Sequence, residues 1–308
     1  MDDPIRIVVG PLGGTGIAEA VAAVPGIEAT IIRSPEAMAE ALHSVPVVVT
    51  FLWQDAWLSP AVRWIQSVSA GTDQFPVEAL SAGEVVLTSA RGIHGTQVSE
   101  HALGLLLAMT RGIATAVSNQ QARAWTRTEV AELQGMTLGV LGLGVIGEGV
   151  ARRAQAFGMR VIGTKQNPAQ YDGVAERVVG PEDTLEVFRE ADAIVITLPG
   201  TPETHRLVGG AELDALAGGW LVNVGRGSVI DTDALVDAMN AGTLRGAALD
   251  VFETEPLPAS SPLWDTPGVI ISPHLAGLSP RYGERLAALF QRNLAAYRGQ
   301  GEWVNRVG

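Results

Sequence analysis

Short apolar runs alternate with stretches of helical periodicity along almost the whole chain of 308 residues. Near the start, runs at 5–10, 28–32, 47–51, 64–67 and 85–88 predict strands, with helices at 16–23 and 35–42 between them. Residues 97–118, QVSEHALGLLLAMTRGIATAVS, predict one long apolar helix. A second alternation begins at 137, with strands at 137–141, 159–163, 193–198, 220–224, 247–250 and 269–271. Helices are predicted at 145–157 and, finally, at 280–298. Alternation of this kind predicts parallel sheets covered by helices. No low-complexity linker separates the two series, and no short repeat occurs.

Between the predicted strands at 137–141 and 159–163, Gly142, Gly144 and Gly147 form G-x-G-x-x-G. In a strand–turn–helix–strand setting this pattern predicts a dinucleotide site. The first glycine permits the tight turn, the second lets a pyrophosphate approach the backbone, and the third lets helix and strand pack closely. The helix N-terminus adds free N–H groups for phosphates. After the second strand an acid usually holds the ribose 2′-hydroxyl of NAD. Here the chain reads Thr164-Lys165-Gln166-Asn167, and the first acid beyond is Asp172. A cation in place of the acid favours a 2′-phosphate and hence NADP, with Thr164, Lys165 and Gln166 around it. The alternative is that Lys165 is a solvated surface residue and NAD binds without its usual acid.

Composition narrows the partners. With 21 basic against 33 acidic residues the formal charge is −12, which argues against nucleic acid and anionic membranes. There is no cysteine, so disulfides, thiolate nucleophiles and cysteine metal sites are excluded, and no metal is expected. No apolar run approaches the roughly 18 residues of a membrane helix. The N-terminus, Met1-Asp2-Asp3-Pro4, is unlike a signal peptide, and a cytoplasmic location is expected. A first glycine-rich run, GPLGGTG at 10–16, lacks the Lys-Ser/Thr of a phosphate loop and reads as a turn.

Open α/β sheets bind ligands at the carboxyl ends of their strands. Three polar residues follow such ends: Arg226 in NVGRG, Glu255 in DVFETEP and His274 in SPHLAG. Taken singly, each reads as a solvated or satisfied residue; beside a dinucleotide fold, the three suit reduction of a 2-oxo acid. A carboxylate beside a histidine favours the proton-bearing form that a general acid needs. An arginine binds a carboxylate through two parallel N–H bonds.

At these residues the chain resembles the D-isomer-specific 2-hydroxyacid dehydrogenases. That family includes glyoxylate and hydroxypyruvate reductases and phosphoglycerate, D-lactate and formate dehydrogenases. The resemblance rests on VNVGRG through DVFETEPL, on SPHLAG, and on VSAGTDQF (68–75), GTQVSEHALGLLLAM (95–109) and LPGTPETHRLV (198–208). It implies an α/β fold with two Rossmann-like domains. One is a dinucleotide-binding domain at 94–271. The other is a discontinuous substrate domain from 1–93 and 272–308, with a hinged cleft between the two. It also implies a homodimer with the helix at 97–118 near the interface.

The implied activity is reduction of a small 2-oxo acid to the D-2-hydroxy acid with NADPH preferred and NAD possible. Arg226 would bind and polarise the substrate, and His274 would deliver the proton with Glu255 holding it cationic. Asp250 would meet the nicotinamide carboxamide, Val145 and Ile146 the pyrophosphate, and Pro199 and Thr204 the adenosine or its phosphates. Val224 and Gly277 complete the implied cofactor contacts. Backbone groups of Ala70 and Gly71 would meet the substrate carboxylate. Residues 51–53 and 69–72 would set the side-chain size accepted; Trp53 reads as a pocket wall or as core. Glu255 argues against formate dehydrogenases, which carry Gln there. The chain's end about ten residues beyond its last helix argues against phosphoglycerate dehydrogenases with a regulatory domain. A dinucleotide-sensing corepressor is the competing class; the intact Arg–Glu–His set and the lack of a peptide-docking tail weigh against it.

Overall fold

The computed structural model describes residues 3–11, 16–54 and 57–308. They form two compact units, Met1–Ile93 with Ser279–Gly308, and His94–Leu278. The first holds β1 (Ile5–Val9), α1 (Ile17–Ala22), β2 (Ile27–Ile31), α2 (Pro35–Ala41), β3 (Val47–Thr50), β4 (Trp64–Ser67), α3 (Val77–Ala82) and β5 (Val86–Thr88). The second holds α4 (Gly95–Thr110), α5 (Ile113–Gln121), β6 (Thr137–Leu141), α6 (Val145–Ala156), β7 (Arg160–Thr164), β8 (Arg177–Val179) and α7 (Thr184–Glu190). It continues with β9 (Ala193–Ile196), α8 (Gly210–Ala215), β10 (Trp220–Asn223), α9 (Thr232–Asn240), β11 (Gly246–Leu249) and β12 (Val269–Ile271). The chain then returns to the first unit with α10 (Tyr282–Tyr297) and β13 (Arg306–Val307).

The first unit's sheet runs β13-β5-β4-β3-β1-β2. Its strands β1 to β5 are parallel and doubly wound, in keeping with the near-continuous apolar runs of β1 and β3. β13 is the exception: it pairs antiparallel on the edge of β5, Arg306 opposite Thr88. The expected wholly parallel sheet therefore carries one reversed edge. Two residues show no periodicity; the open edge of β5 gives them their backbone partners. α10 closes this unit's core. Phe290 stacks on Trp64 with centroids 4.9 Å apart. Asn293 Nδ2 donates to Gln66 Oε1 at 2.9 Å, and the Tyr282 hydroxyl donates to Val68 O. The turn expected at 10–16 lies partly outside the described residues, which omit 12–15.

The second unit's sheet is wholly parallel, in the order β12-β11-β10-β9-β6-β7-β8. β6 lies where the order reverses, so the turn after it sits at the switch point where such sheets bind ligands. The helix expected over 97–118 is two helices, α4 and α5, bent by 65°. Gly112 makes the break with φ of 65°, a left-handed conformation that glycine adopts without penalty. Among the described residues no single helix is long and apolar enough to cross a membrane. Residues 272–278 pack with this unit, so it extends past the boundary expected at 271.

Phe290 is 0% exposed, so Phe290→Ala would leave a cavity against Trp64. The expected cost is about 3–5 kcal/mol, read as a fall in the urea midpoint at unchanged m-value. A loss below about 1 kcal/mol would show that the stack does not hold this unit.

Candidate active site

The turn after β6 is shaped by close contact. Gly142 has φ of 95°, in the left-handed region. A Cβ on Gly147 would lie 2.3 Å from Gly142 O, which only glycine avoids. Thr164 is 4% exposed, and its hydroxyl accepts from Gly142 N at 3.1 Å. It holds the turn from inside, which corrects the expectation that it faces a 2′-phosphate. Thr197 Oγ1 donates to Gly142 O at 2.7 Å, a support that no sequence signal announces. The N–H groups of Val145 and Ile146 precede the hydrogen-bond ladder of α6, and Val145 is half exposed. This cradle of glycine backbone and open helix N-terminus fits a dinucleotide pyrophosphate.

Lys165 stands beside this turn. Its Nζ donates to Leu143 O at 2.8 Å and lies 5.9 Å from the centre of the Tyr171 ring. Tyr171 donates to Glu148 Oε2 at 2.6 Å and accepts from Ala175 N at 2.8 Å. Burial first, then the bond to Glu148, pushes the phenol pKa above its ordinary value, so the ring stays neutral beneath the ammonium. Glu148 also pairs with Arg152 at 2.9 Å. Neither Glu148 nor Tyr171 stands out in the sequence, because they meet Lys165 only through the fold. Gln166 is exposed next to it.

Arg226, Glu255 and His274 each follow a strand end of the same sheet: β10, β11 and β12. The glycines around Arg226 are needed because its backbone is crowded. A Cβ on Gly225 would lie 2.5 Å from Leu198 O, and one on Gly227 only 1.9 Å from Phe252 C. The turn is thus clamped by the segments after β9 and β11. Arg226 Nη1 donates to its neighbour's carbonyl, Gly225 O, at 2.9 Å, and Asn223 Nδ2 holds Arg226 O at 3.0 Å.

His274 Nδ1 lies 2.6 Å from Glu255 Oε2. The carboxylate can only accept, so Nδ1 carries a proton and the ring's second nitrogen, Nε2, is left for other chemistry. Glu255 Oε1 accepts from Phe252 N at 2.9 Å, which fixes the carboxylate. His274 has φ of 53°, a left-handed conformation that costs a non-glycine residue roughly 1–2 kcal/mol. Its N–H donates to Asp250 O and Ser272 O, both at 2.9 Å.

Asp250 is 1% exposed. Its Oδ1 accepts from Leu275 N at 2.8 Å and its Oδ2 from Ala276 N at 3.0 Å. With one partner, Oδ2 keeps the acceptor capacity a carboxamide needs. Gly277 O accepts from Gln97 Nε2 at 3.4 Å, and Val224 is buried at 7% exposure. The Thr204 hydroxyl donates to Pro199 O at 2.6 Å, bracing the turn after β9.

In the first unit, Ala70 and Gly71 lie in a turn after β4. Ser69 Oγ donates to Gly71 O at 2.6 Å, and Gln74 Nε2 ties Ser69 Oγ to Phe51 O, 2.9 Å from each. Trp53 packs edge-on to Trp57 with centroids 6.3 Å apart, and 6.1 Å from Phe75. Its buried Nε1 finds no hydrogen-bond partner among the described residues.

Residues 103–276 match the family model described as D-isomer specific 2-hydroxyacid dehydrogenase, NAD binding domain. Glyoxylate/hydroxypyruvate reductase B of Pectobacterium atrosepticum is 36% identical over 79% of this chain and 78% of its own length. D-3-phosphoglycerate dehydrogenase of Mycobacterium leprae is 35% identical over 86% of this chain but 48% of its own. The structure of an NADPH-dependent glyoxylate/hydroxypyruvate reductase from Sinorhizobium meliloti, in complex with citrate, superposes with a TM-score of 0.83. It is 28% identical and covers 99% of this chain and 98% of its own. The glycine cradle, the strand-end residues and these matches together make the chain a member of the D-isomer-specific 2-hydroxyacid dehydrogenase family.

Proposed function

We propose that this chain reduces glyoxylate or hydroxypyruvate, the substrates its relatives are named for, to the D-2-hydroxy acid, with NADPH preferred. The reading is carried by the 2.6 Å contact of His274 with Glu255 at the carboxyl edge of a dinucleotide-type sheet. The two side chains follow neighbouring parallel strands of that sheet, β12 and β11, and so reach the same edge.

In this reading the second unit is the dinucleotide-binding domain and the first the substrate domain. Gly142, Gly144, Gly147, Val145 and Ile146 hold the pyrophosphate, and Lys165 with Gln166 the 2′-phosphate. When bound, the cofactor supplies the hydride. Arg226 anchors the substrate carboxylate and draws electron density from the adjoining carbonyl. His274 delivers its proton from Nε2 to the carbonyl oxygen, while Glu255 keeps the ring oriented and balances its charge. Ala70, Gly71 and Trp53 remain substrate contacts. A homodimer is supported by α5, which buries none of its residues and leaves Ile113 and Val117 about half exposed, and by fully exposed Trp125. A cytoplasmic location agrees with a chain free of cysteine.

His274→Ala is expected to lower kcat roughly 10²–10⁴-fold with little change in NADPH affinity. Near-normal turnover with glyoxylate would remove His274 from the proton path. Arg226→Lys replaces a planar fork by a point charge, so KM for the 2-oxo acid should rise strongly. An unchanged KM would mean that another group anchors the carboxylate.

Cofactor choice rests on Lys165. One of its three N–H donors is on Leu143 O, which leaves two for a phosphate. A charge-assisted contact of about 1.5–3 kcal/mol corresponds to roughly a ten- to hundredfold preference for NADPH. Lys165→Asp should reverse it by repelling the phosphate and offering the ribose an acceptor. Equal or better kcat/KM with NADH in the parent enzyme would refute the assignment.

A further inference from the structure

The turn that presents His274 is folded around a buried charge. His274 N, Leu275 N and Ala276 N all bond to Asp250, the first to its carbonyl and the others to its carboxylate. The carboxylate is in turn held by two side chains outside the Arg226–Glu255–His274 set. The Ser272 hydroxyl donates to Asp250 Oδ1. His101, on α4, places Nε2 2.9 Å from Ser272 Oγ and 3.3 Å from Asp250 Oδ1. A serine hydroxyl has one proton, and here it goes to the carboxylate, so toward His101 the oxygen accepts. Nε2 of His101 must therefore carry a proton and donate to both oxygens.

We infer that His101 and Ser272 are positioning residues for the reaction: they orient the Asp250 carboxylate, which holds the left-handed turn that sets His274 in place. The inference rests on the reading of His274 as proton donor. Asp250 and Ser272 are 1% and 6% exposed, so solvent cannot readily replace either bond. Without the His101 N–H, Ser272 Oγ loses its donor and Oδ1 one of its three. Without the Ser272 hydroxyl, Oδ1 loses its shortest contact and His101 its main acceptor. In both cases the carboxylate can rotate away from Leu275 N and Ala276 N, and the strained φ at His274 relaxes. Small displacements of a reacting group suffice to cost rate: an ångström of misplacement is worth about 10²-fold.

The prediction separates from a general structural effect. His101→Leu and Ser272→Ala should each lower kcat roughly 10- to 100-fold with glyoxylate and NADPH. KM for glyoxylate should hardly move, because Arg226 is held independently by Asn223 and Gly225. His101→Gln, whose amide N–H reaches about as far as Nε2, should recover most of the rate. In a His274→Ala background, His101→Leu should cost clearly less than in the parent, since the proton donor it positions is gone and only the contact of Asp250 with the nicotinamide is left to disturb. Thermal melts establish that each variant is folded; if His101→Leu is not, Ser272→Ala carries the same comparison. Equal losses in the two backgrounds, no recovery in His101→Gln, or a change in KM alone would overturn the inference. Near-normal turnover of His274→Ala would instead overturn the proton-donor reading on which it rests.

Discussion

A carboxylate that is 1% exposed, as Asp250 is, has to find its donors inside the protein, because an uncompensated buried charge costs several kcal/mol. Beside the Ser272 hydroxyl, its donors are the backbone N–H groups of the turn after β12, and these are satisfied only if the chain doubles back at His274. The left-handed φ of 53° there is the geometric result. Its conformational cost is offset by charge-assisted bonds, each worth about 1.5–3 kcal/mol. From that point the rest of the site is constrained. His274 can meet Glu255 because the segment after β11 is fixed by the same residue, Asp250, at its start. A strong local interaction at one strand end thus sets the arrangement of two others.

Crowding does for Arg226 and the glycine turn after β6 what charge does for His274. Gly147 admits the Gly142 carbonyl, and Gly225 and Gly227 admit the backbone of Leu198 and Phe252. At the carboxyl edge of the seven-stranded sheet, neighbouring loops approach to distances that no side chain tolerates. A chain belonging to a family of NAD(P)-dependent oxidoreductases acting on 2-oxo and 2-hydroxy acids needs such an edge. Hydride and proton delivery both depend on groups that do not drift. Close packing of backbone against backbone gives that stiffness without long side chains.

Much of this arrangement is legible in the amino-acid pattern. Strands such as β3, β9 and β10 are buried over every residue, and their largely apolar runs announce them. Arg226, Glu255 and His274 are legible because each follows such a run. The features that escape the pattern are decided by contacts distant in sequence. β8 is a half-buried edge strand without a clear period, and β13 exists only as the partner of β5. The break between α4 and α5 needs one glycine to be read as a stop inside an apolar stretch. Thr164 has the look of a phosphate ligand, yet the fold turns its hydroxyl toward Gly142. His101 and Ser272 lie 171 residues apart, and nothing in either neighbourhood signals the other.

Lys165 is the only lysine in the chain; the remaining 20 of its 21 Lys and Arg residues are arginine. Its ammonium rests on Leu143 O, within the glycine turn itself. Arginine is inert toward acylating reagents under conditions where amines react, so side-chain acylation has a single address on this protein. That address lies at the mouth of the glycine turn after β6. A fluorophore or affinity handle can therefore be set there without mutating the chain, and the protection of one amine reports directly on what occupies the turn.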